Sequence, residues 1–461
     1  MKKQEKREVA FAVFSNLFTL ITSVFLGFIV PKFLSVDSYA LYKTFALYSG
    51  FVGFFHFGFI NGVYLKYGNL EYEQLPQKKF AGFSWVLFLS QLIIQGILTI
   101  VLFSIIGYSS FSSPFFYVII NIVLINLNSF FTHINQFTKR FAIDAWILLL
   151  QHFILLTGTL TLLVMRQDYY ICYVSIVTLA NLIVLVIQLF INRKIVFIKK
   201  ANIQVDFGEI KDRISHGFFI MISEFMGIFV VTIDSVIVNL FLPAKIFSAY
   251  ALAVAVITVL YQLTTFFSKL IFPFLKRVNE SDYRKVYRDM MGRIMVYSFS
   301  IAGIAFIAAL IVPIFLPDYS HSAIIIRILG LTVLFKGVQE LLCANFYKTL
   351  NMERSFARIN FIAILVATLS DVIAFWLFRT KESVAIASAV SFGIWFIMSD
   401  VVLKRKLKLS VVDTNSLLFL FMIILYSICI MLLPVIGIAL YYGMLIIIVF
   451  SFLLFKKTTK N

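Results

Sequence analysis

Four cations and four acids lie inside long apolar runs of this chain: Lys43, Lys269, Arg327 and Lys336, and Glu224, Asp234, Glu340 and Asp371. An ionised side chain at the centre of a membrane-spanning helix costs at least about 2.5 to 3.5 kcal/mol, so each position implies a partner, a wet cavity or a task. Lys336 and Glu340 are four residues apart and share one helix face. That spacing supports an intrahelical ion pair, or a lysine that binds substrate phosphate from a cavity while the glutamate responds to substrate or to a coupling ion. Glu224 and Asp234 are separated by ten residues, which places them about 80° apart around one helix, so both can border a single cavity. Glu224 is central in its run and suits a cycle of proton release and rebinding. Lys43, Lys269 and Arg327 sit about four residues from expected helix ends, where they can snorkel to the interface or add to an anion-binding surface. Asp371, nearer an end, reads equally as a structural residue. His56, His133 and His152 show no metal-ligand spacing and fit hydrogen-bonded packing better than a proton relay. Tyr39, Tyr48 and Tyr261 offer stacking faces to a ligand if they line a cavity.

These groups must be held by elements that live in lipid. The 461 residues are 61% hydrophobic and 13% charged, with a mean hydropathy of +0.97, far from the roughly 25% charge of soluble domains. No stretch is polar enough to form a soluble domain. The net charge of +18 resides in short clusters between apolar runs, a membrane-loop pattern that argues against nucleic acid as a partner. Cys172, Cys343 and Cys429 fall inside apolar runs and suggest neither disulfides nor a metal site. The basic start MKKQEKREVAFAVF leads into a run without a small-residue cleavage site, which reads as a retained first helix.

Runs long enough to cross a bilayer number about fourteen. They fall near 9–30, 39–62, 80–106, 115–137, 145–165, 169–191, 214–241, 248–273, 292–315, 323–348, 357–378, 384–403, 415–433 and 436–455. Every second connection is basic, from Lys66, Lys78 and Lys79 to Lys404–Lys408, which places both termini in the cytoplasm. The alternate connections are short and poor in His, Asp and Glu, too small for an outer catalytic domain. An enzyme is therefore not expected, and the absence of a GxxxxGK sequence excludes a phosphate-loop ATPase. The expected organisation is a six-helix lobe over 1–205, a second over 206–408, and two added helices over 409–461.

The halves share a short passage. Phe33-Leu34-Ser35 and Tyr39-Ala40-Leu41 follow the first helix; Phe241-Leu242-Pro243 and Tyr250-Ala251-Leu252 follow the seventh. Two such repeats starting on the same side of the membrane are related by a pseudo-twofold axis along its normal. At these residues the chain resembles the Wzx-type flippases of lipid-linked oligosaccharides, in the exporter superfamily that also holds multidrug and toxic-compound extruders and the lipid II flippase. The passages are IVPKFLSVDSYALYKTFAL, HFGFINGVYLKYG, TIDSVIVNLFLPAKIFSAYALA and PFLKRV, with Ala40 where the family commonly has glycine.

The resemblance implies an all-α, polytopic, two-lobe membrane protein that works by alternating access in a bacterial plasma membrane. The implied substrate is an undecaprenyl-(pyro)phosphate-linked oligosaccharide for cell-surface polysaccharide such as O-antigen or capsule. Lys336, Arg327, Lys43 and Lys269 are the substrate-binding candidates; Glu224, Asp234 and Glu340 are the ion-coupling candidates. No cofactor is expected, and a proton or sodium gradient is the natural drive. Partners are the lipid-linked glycan, membrane lipids, and a polysaccharide polymerase and glycosyltransferases. The competing readings are an ion-coupled multidrug extruder and a non-transporting scaffold of a polysaccharide assembly complex.

Overall fold

The structure is a computed structural model that describes residues 3–197 and 203–458, with the side chains of 3–10, 12–13, 266, 269–270, 273 and 452–458 left aside. The described residues form helices and no strand. Thirteen helices are long and apolar enough to cross a membrane, or fourteen counting one bent pair as a span. The chain is thus an all-α, multi-pass membrane protein. Its contacts divide it into two compact units, residues 1–228 and 229–461.

The first unit runs α1 (Lys3–Phe33), α2 (Val36–Ser49), α3 (Phe59–Tyr67), α4 (Gln77–Ile106), α5 (Pro114–Phe137), α6 (Phe141–Val164), α7 (Tyr170–Ile191), the single turn α8 (Arg193–Val196) and the first part of α9 (Phe207–Phe241). The expected second span over 39–62 is broken. A short 3-10 turn at Val52–His56 separates α2 from α3, and the two helices diverge by 57°. Phe57 and Gly58 both have positive φ, at 50° and 80°, which ends the helical ladder. Carbonyls freed by the break are taken by neighbours: Gln91 Nε2 donates to Phe55 O at 3.0 Å and Asn126 Nδ2 to Val52 O at 3.2 Å. Irregular backbone survives at membrane depth only with such partners.

Close approach by α9 gives the break its reason. A Cβ on Gly217 would sit 2.0 Å from Gly58 O, and one on Gly62 would sit 1.9 Å from Arg213 O. The two backbones touch where side chains are absent, as small residues permit in lipid. The start of α9 is pinned by Glu209, whose carboxylate accepts from Lys66 Nζ at 2.5 Å, Tyr67 Oη at 2.6 Å and Lys79 Nζ at 2.7 Å. These contacts hold the start of α9 to the first unit.

Between α5 and α7 the unit is joined by amides at heptad spacing, Asn121 and Asn128 against Asn181 and Gln188. Asn181 Nδ2 donates to Asn121 Oδ1 at 2.8 Å, and Asn128 Nδ2 donates to Asn181 O at 2.9 Å. Where lipid tails are as apolar as leucine, polar pairs hold helices together at about 0.6 kcal/mol each.

The second unit contains the rest of α9, then α10 (Ala244–Leu275), α11 (Tyr283–Phe315), α12 (Ser322–Val338), a π turn (Gln339–Cys343), α13 (Ala344–Thr349), α14 (Glu353–Phe378), α15 (Lys381–Lys406), α16 (Thr414–Met431) and α17 (Pro434–Thr458). Pro434 divides the last pair as its φ-locking ring requires. The pair is part of the unit's core: Tyr426 Oη donates to Arg327 O at 3.1 Å and Tyr441 Oη to Phe299 O. Asp413 caps α16 by accepting from Ser416 N at 2.9 Å.

Candidate functional site

Two sites in the second unit hold four of the eight intramembrane charges. In the first, Asp234 of α9 is 3% exposed. It accepts from Tyr250 Oη of α10 at 2.7 Å and from Ser235 N at 2.5 Å, with the Ser388 hydroxyl of α15 as a further partner. Asp371 of α14 is 0% exposed, and neither of its carboxyl oxygens has a hydrogen-bond partner among the described residues. It is buried in the same unit, where the charge of Asp234 acts on it and its own charge acts on Tyr250. One acid is therefore well solvated by protein donors, and the other is bare. Holding both carboxylates charged within a helical bundle is costly, and a shared proton or cation would relieve that cost. Sequence reading had Asp234 as a coupling group but not its partnership with Asp371. Tyr250 and Ser388 gave no separate signal, although Tyr250 belongs to the repeated Tyr-Ala-Leu passage.

The second site centres on Lys336. Its Nζ lies 2.5 Å from Glu340 Oε2, and the side chains are 15% and 23% exposed. The ammonium also sits 4.8 Å from the centroid of the Tyr261 ring. Tyr261 in turn shares a hydrogen bond with Thr332 at 2.5 Å, and the charge of Asp234 reaches it. The expected i,i+4 pair is thus present, with an aromatic wall that the sequence pointed to through Tyr261 alone. Three residues after Lys336 the helix widens into the π turn, a local bulge often found at functional sites. The carbonyl of Glu340 accepts from Ser268 Oγ at 3.0 Å and Asn345 Nδ2 at 3.2 Å, so the bulge is held from α10 and α13.

The other candidates are placed elsewhere. Arg327 donates through Nη1 to Ile430 O at 3.1 Å and Leu432 O at 3.2 Å. It caps the carbonyl end of α16, a favourable position for a cation. Lys43, in the first unit, lies 5.3 Å from the Tyr39 ring centroid and 5.9 Å from that of Tyr42. Glu224 is exposed and accepts from Asn61 Nδ2 of α3 at 3.0 Å, while Asp234 belongs to the other unit. Lys269 is on α10, and its side chain lies outside the described residues. Of the histidines, His56 Nδ1 accepts from Gly58 N at 3.0 Å within the break of the second span. His133 and His152 each bond a carbonyl four residues earlier, at 2.8 and 3.0 Å.

No protein-family model matches the chain, and no curated protein matches it. Solved structures do. The fold is similar to that of the lipid II flippase MurJ in an inward closed conformation, with a TM-score of 0.67 at 15% identity over 96% of this chain and 98% of that one. It is also similar to an inward-facing multidrug resistance MATE family transporter of the MOP superfamily, with a TM-score of 0.62 at 11% identity over 86% and 94% of the two chains. A eukaryotic MATE transporter, AtDTX14, gives a TM-score of 0.52 at 13% identity over 92% and 99%. The likeness is one of fold, and the proteins that share it here are transporters rather than enzymes.

Proposed function

We infer that this protein is an alternating-access flippase for a polyprenyl-(pyro)phosphate-linked oligosaccharide, moving it from the cytoplasmic to the outer leaflet for cell-surface polysaccharide synthesis. The observation that carries the reading is the extent of the fold match to a lipid flippase, which runs over nearly the whole chain, the C-terminal helices included. Basic connections on the side of both termini support a cytoplasmic location for them in a bacterial plasma membrane.

The chemistry of the second unit fits such a cycle. A pyrophosphate cannot enter about 30 Å of hydrocarbon unaided and needs a cation in a wet site. Lys336 supplies it, with Glu340 as the resident counter-ion that substrate phosphate replaces. Tyr261 flanks the ammonium and offers a face for sugar stacking. The Asp234–Asp371 pair supplies a second, separate element: it holds a proton or a monovalent cation in one state and releases it in another.

The test is the lipid-linked saccharide content of each leaflet in cells lacking the protein. Accumulation in the cytoplasmic leaflet alone is expected. No accumulation, with altered sensitivity to cationic drugs, would replace this reading with the extruder, for which the buried acids would be the substrate site.

A further inference from the structure

An apolar groove of about 550 Å³ opens on the surface of the first unit between α1, α6 and α7. Phe18, Ile143, Trp146, Phe153 and Ile191 are among its walls, and its lining is almost wholly apolar. Ile143 and Phe153 are ten residues apart on α6, so the groove runs about 15 Å along the helices. That is half of a hydrocarbon core of about 30 Å, the depth of one leaflet. The occupied half is the one on the side of the N-terminus, because the groove uses the start of the membrane span of α1, which begins at Phe14, the first half of α6 and the end of α7.

Among the described residues, four cations neighbour that end of the groove in sequence. Lys139 and Arg140 precede Ile143 by four and three residues, and Arg193 and Lys194 follow Ile191 by two and three. Lys139, Arg193 and Lys194 are exposed. Arg140 is held in place: its guanidinium stacks 4.0 Å from the Tyr72 ring centroid, and Nη1 donates to Asn192 Oδ1 at 3.2 Å. The acid on this rim, Asp144, accepts from Gln136 Nε2 at 3.1 Å. An apolar slot one leaflet deep, whose end carries three more positive than negative charges among the described residues, is complementary to a hydrocarbon chain with a phosphate at its head.

We propose that this groove is a docking site for the polyprenyl phosphate end of the lipid-linked substrate, holding the first part of the prenyl chain along α6 with the phosphate on the basic rim. It is distinct from the Lys336 site, which lies in the other unit, and so acts as a place where substrate is collected from its leaflet before transport. The inference rests on the lipid-linked reading given above. An ordinary acyl chain would fill any surface depression, but a fixed arginine and three further cations at one end select for a phosphomonoester or pyrophosphate over a zwitterionic headgroup.

The experiment uses the full chain in phosphatidylcholine vesicles with a polyprenyl phosphate that carries a photoreactive diazirine in the first third of its chain, followed by peptide mapping. Labelling is expected in the groove segments of α1, α6 and α7, competed by unlabelled polyprenyl phosphate and not by excess phosphatidylcholine. Arg193→Gln with Lys194→Gln alters exposed side chains and is expected to reduce labelling about tenfold, the loss that fits removal of charge-assisted phosphate bonds. Leu150→Trp, which fills the groove, is expected to abolish it. Labelling spread over all lipid-facing helices, or equal labelling by the neutral polyprenol, would overturn the proposal. Loss of specific labelling together with an intact leaflet-accumulation phenotype removes the groove and spares the flippase reading. Specific labelling without that phenotype does the reverse.

Discussion

Replacing Asp371 by asparagine separates a coupling acid from a structural one. Neither oxygen of Asp371 has a hydrogen-bond partner among the described residues, so Asp371→Asn breaks no bond made there. It removes a charge whose placement within a span costs at least about 2.5 to 3.5 kcal/mol when ionised, and introduces an amide whose unmet groups cost about 1 to 3 kcal/mol. The net effect on stability is between no change and a gain of about 2 kcal/mol. Asp234→Asn differs, because the carboxylate there accepts from Tyr250 and Ser235, and weakening charge-assisted bonds costs about 2 to 3 kcal/mol. A cation bound between the two acids adds a further signature: at one hundred times its dissociation constant it raises stability by about 2.7 kcal/mol. Thermal unfolding of purified protein in micelles, in sodium and in choline chloride at pH 6 and pH 8, reads all three quantities. Wild type is expected to respond to sodium or to pH, Asp371→Asn to lose that response without losing stability, and Asp234→Asn to lose both. The reasoning is refuted if Asp371→Asn destabilises as much as Asp234→Asn, or if wild type ignores both pH and cation.

Three further outcomes are expected. Lys336→Ala should abolish export while the protein remains in the membrane, and the double change Lys336→Met with Glu340→Met should restore stability but not export; recovery of export in the double variant would reduce the pair to a structural role. Gly217→Leu should prevent accumulation of folded protein, since its first side-chain atom already meets the Gly58 carbonyl; normal membrane levels on an immunoblot would contradict the close α3–α9 contact. At the membrane surface, burial pushes the Asp413 carboxyl up, but hydrogen bonds from Ser416 and Lys404 outweigh burial and leave it below its ordinary value. A depressed carboxyl stabilises above the unfolded value of about 3.9 and loses that contribution as pH falls through the folded one. The stability difference between wild type and Asp413→Asn, measured by thermal unfolding, should therefore be full at neutral pH and shrink below about pH 4.

The sequence by itself determined the class of the molecule and the places where spans begin and end. Hydrocarbon thickness sets a length that local composition must meet, and proline, glycine and charge mark the ends within a few residues, as at Pro114, Pro434 and Arg379. Lys336 and Glu340 were also legible, because an i,i+4 pair is a property of one helix. Tertiary structure decided the rest. The second span reads as one apolar run, yet it breaks at Phe57 and Gly58 because the α9 backbone lies against Gly58 and Gly62, some 150 residues later in the chain. Arg327 serves the carbonyls of α16, a hundred residues away, although its position near a helix end suggested snorkelling or substrate. Asp371 looked unremarkable in its own helix and becomes a coupling candidate through the charge of Asp234, on a helix that precedes it by more than a hundred residues. In each case the deciding group is remote in sequence, and what it supplies, a carbonyl, a backbone surface or a charge, leaves no mark on the local pattern of the residue it acts upon.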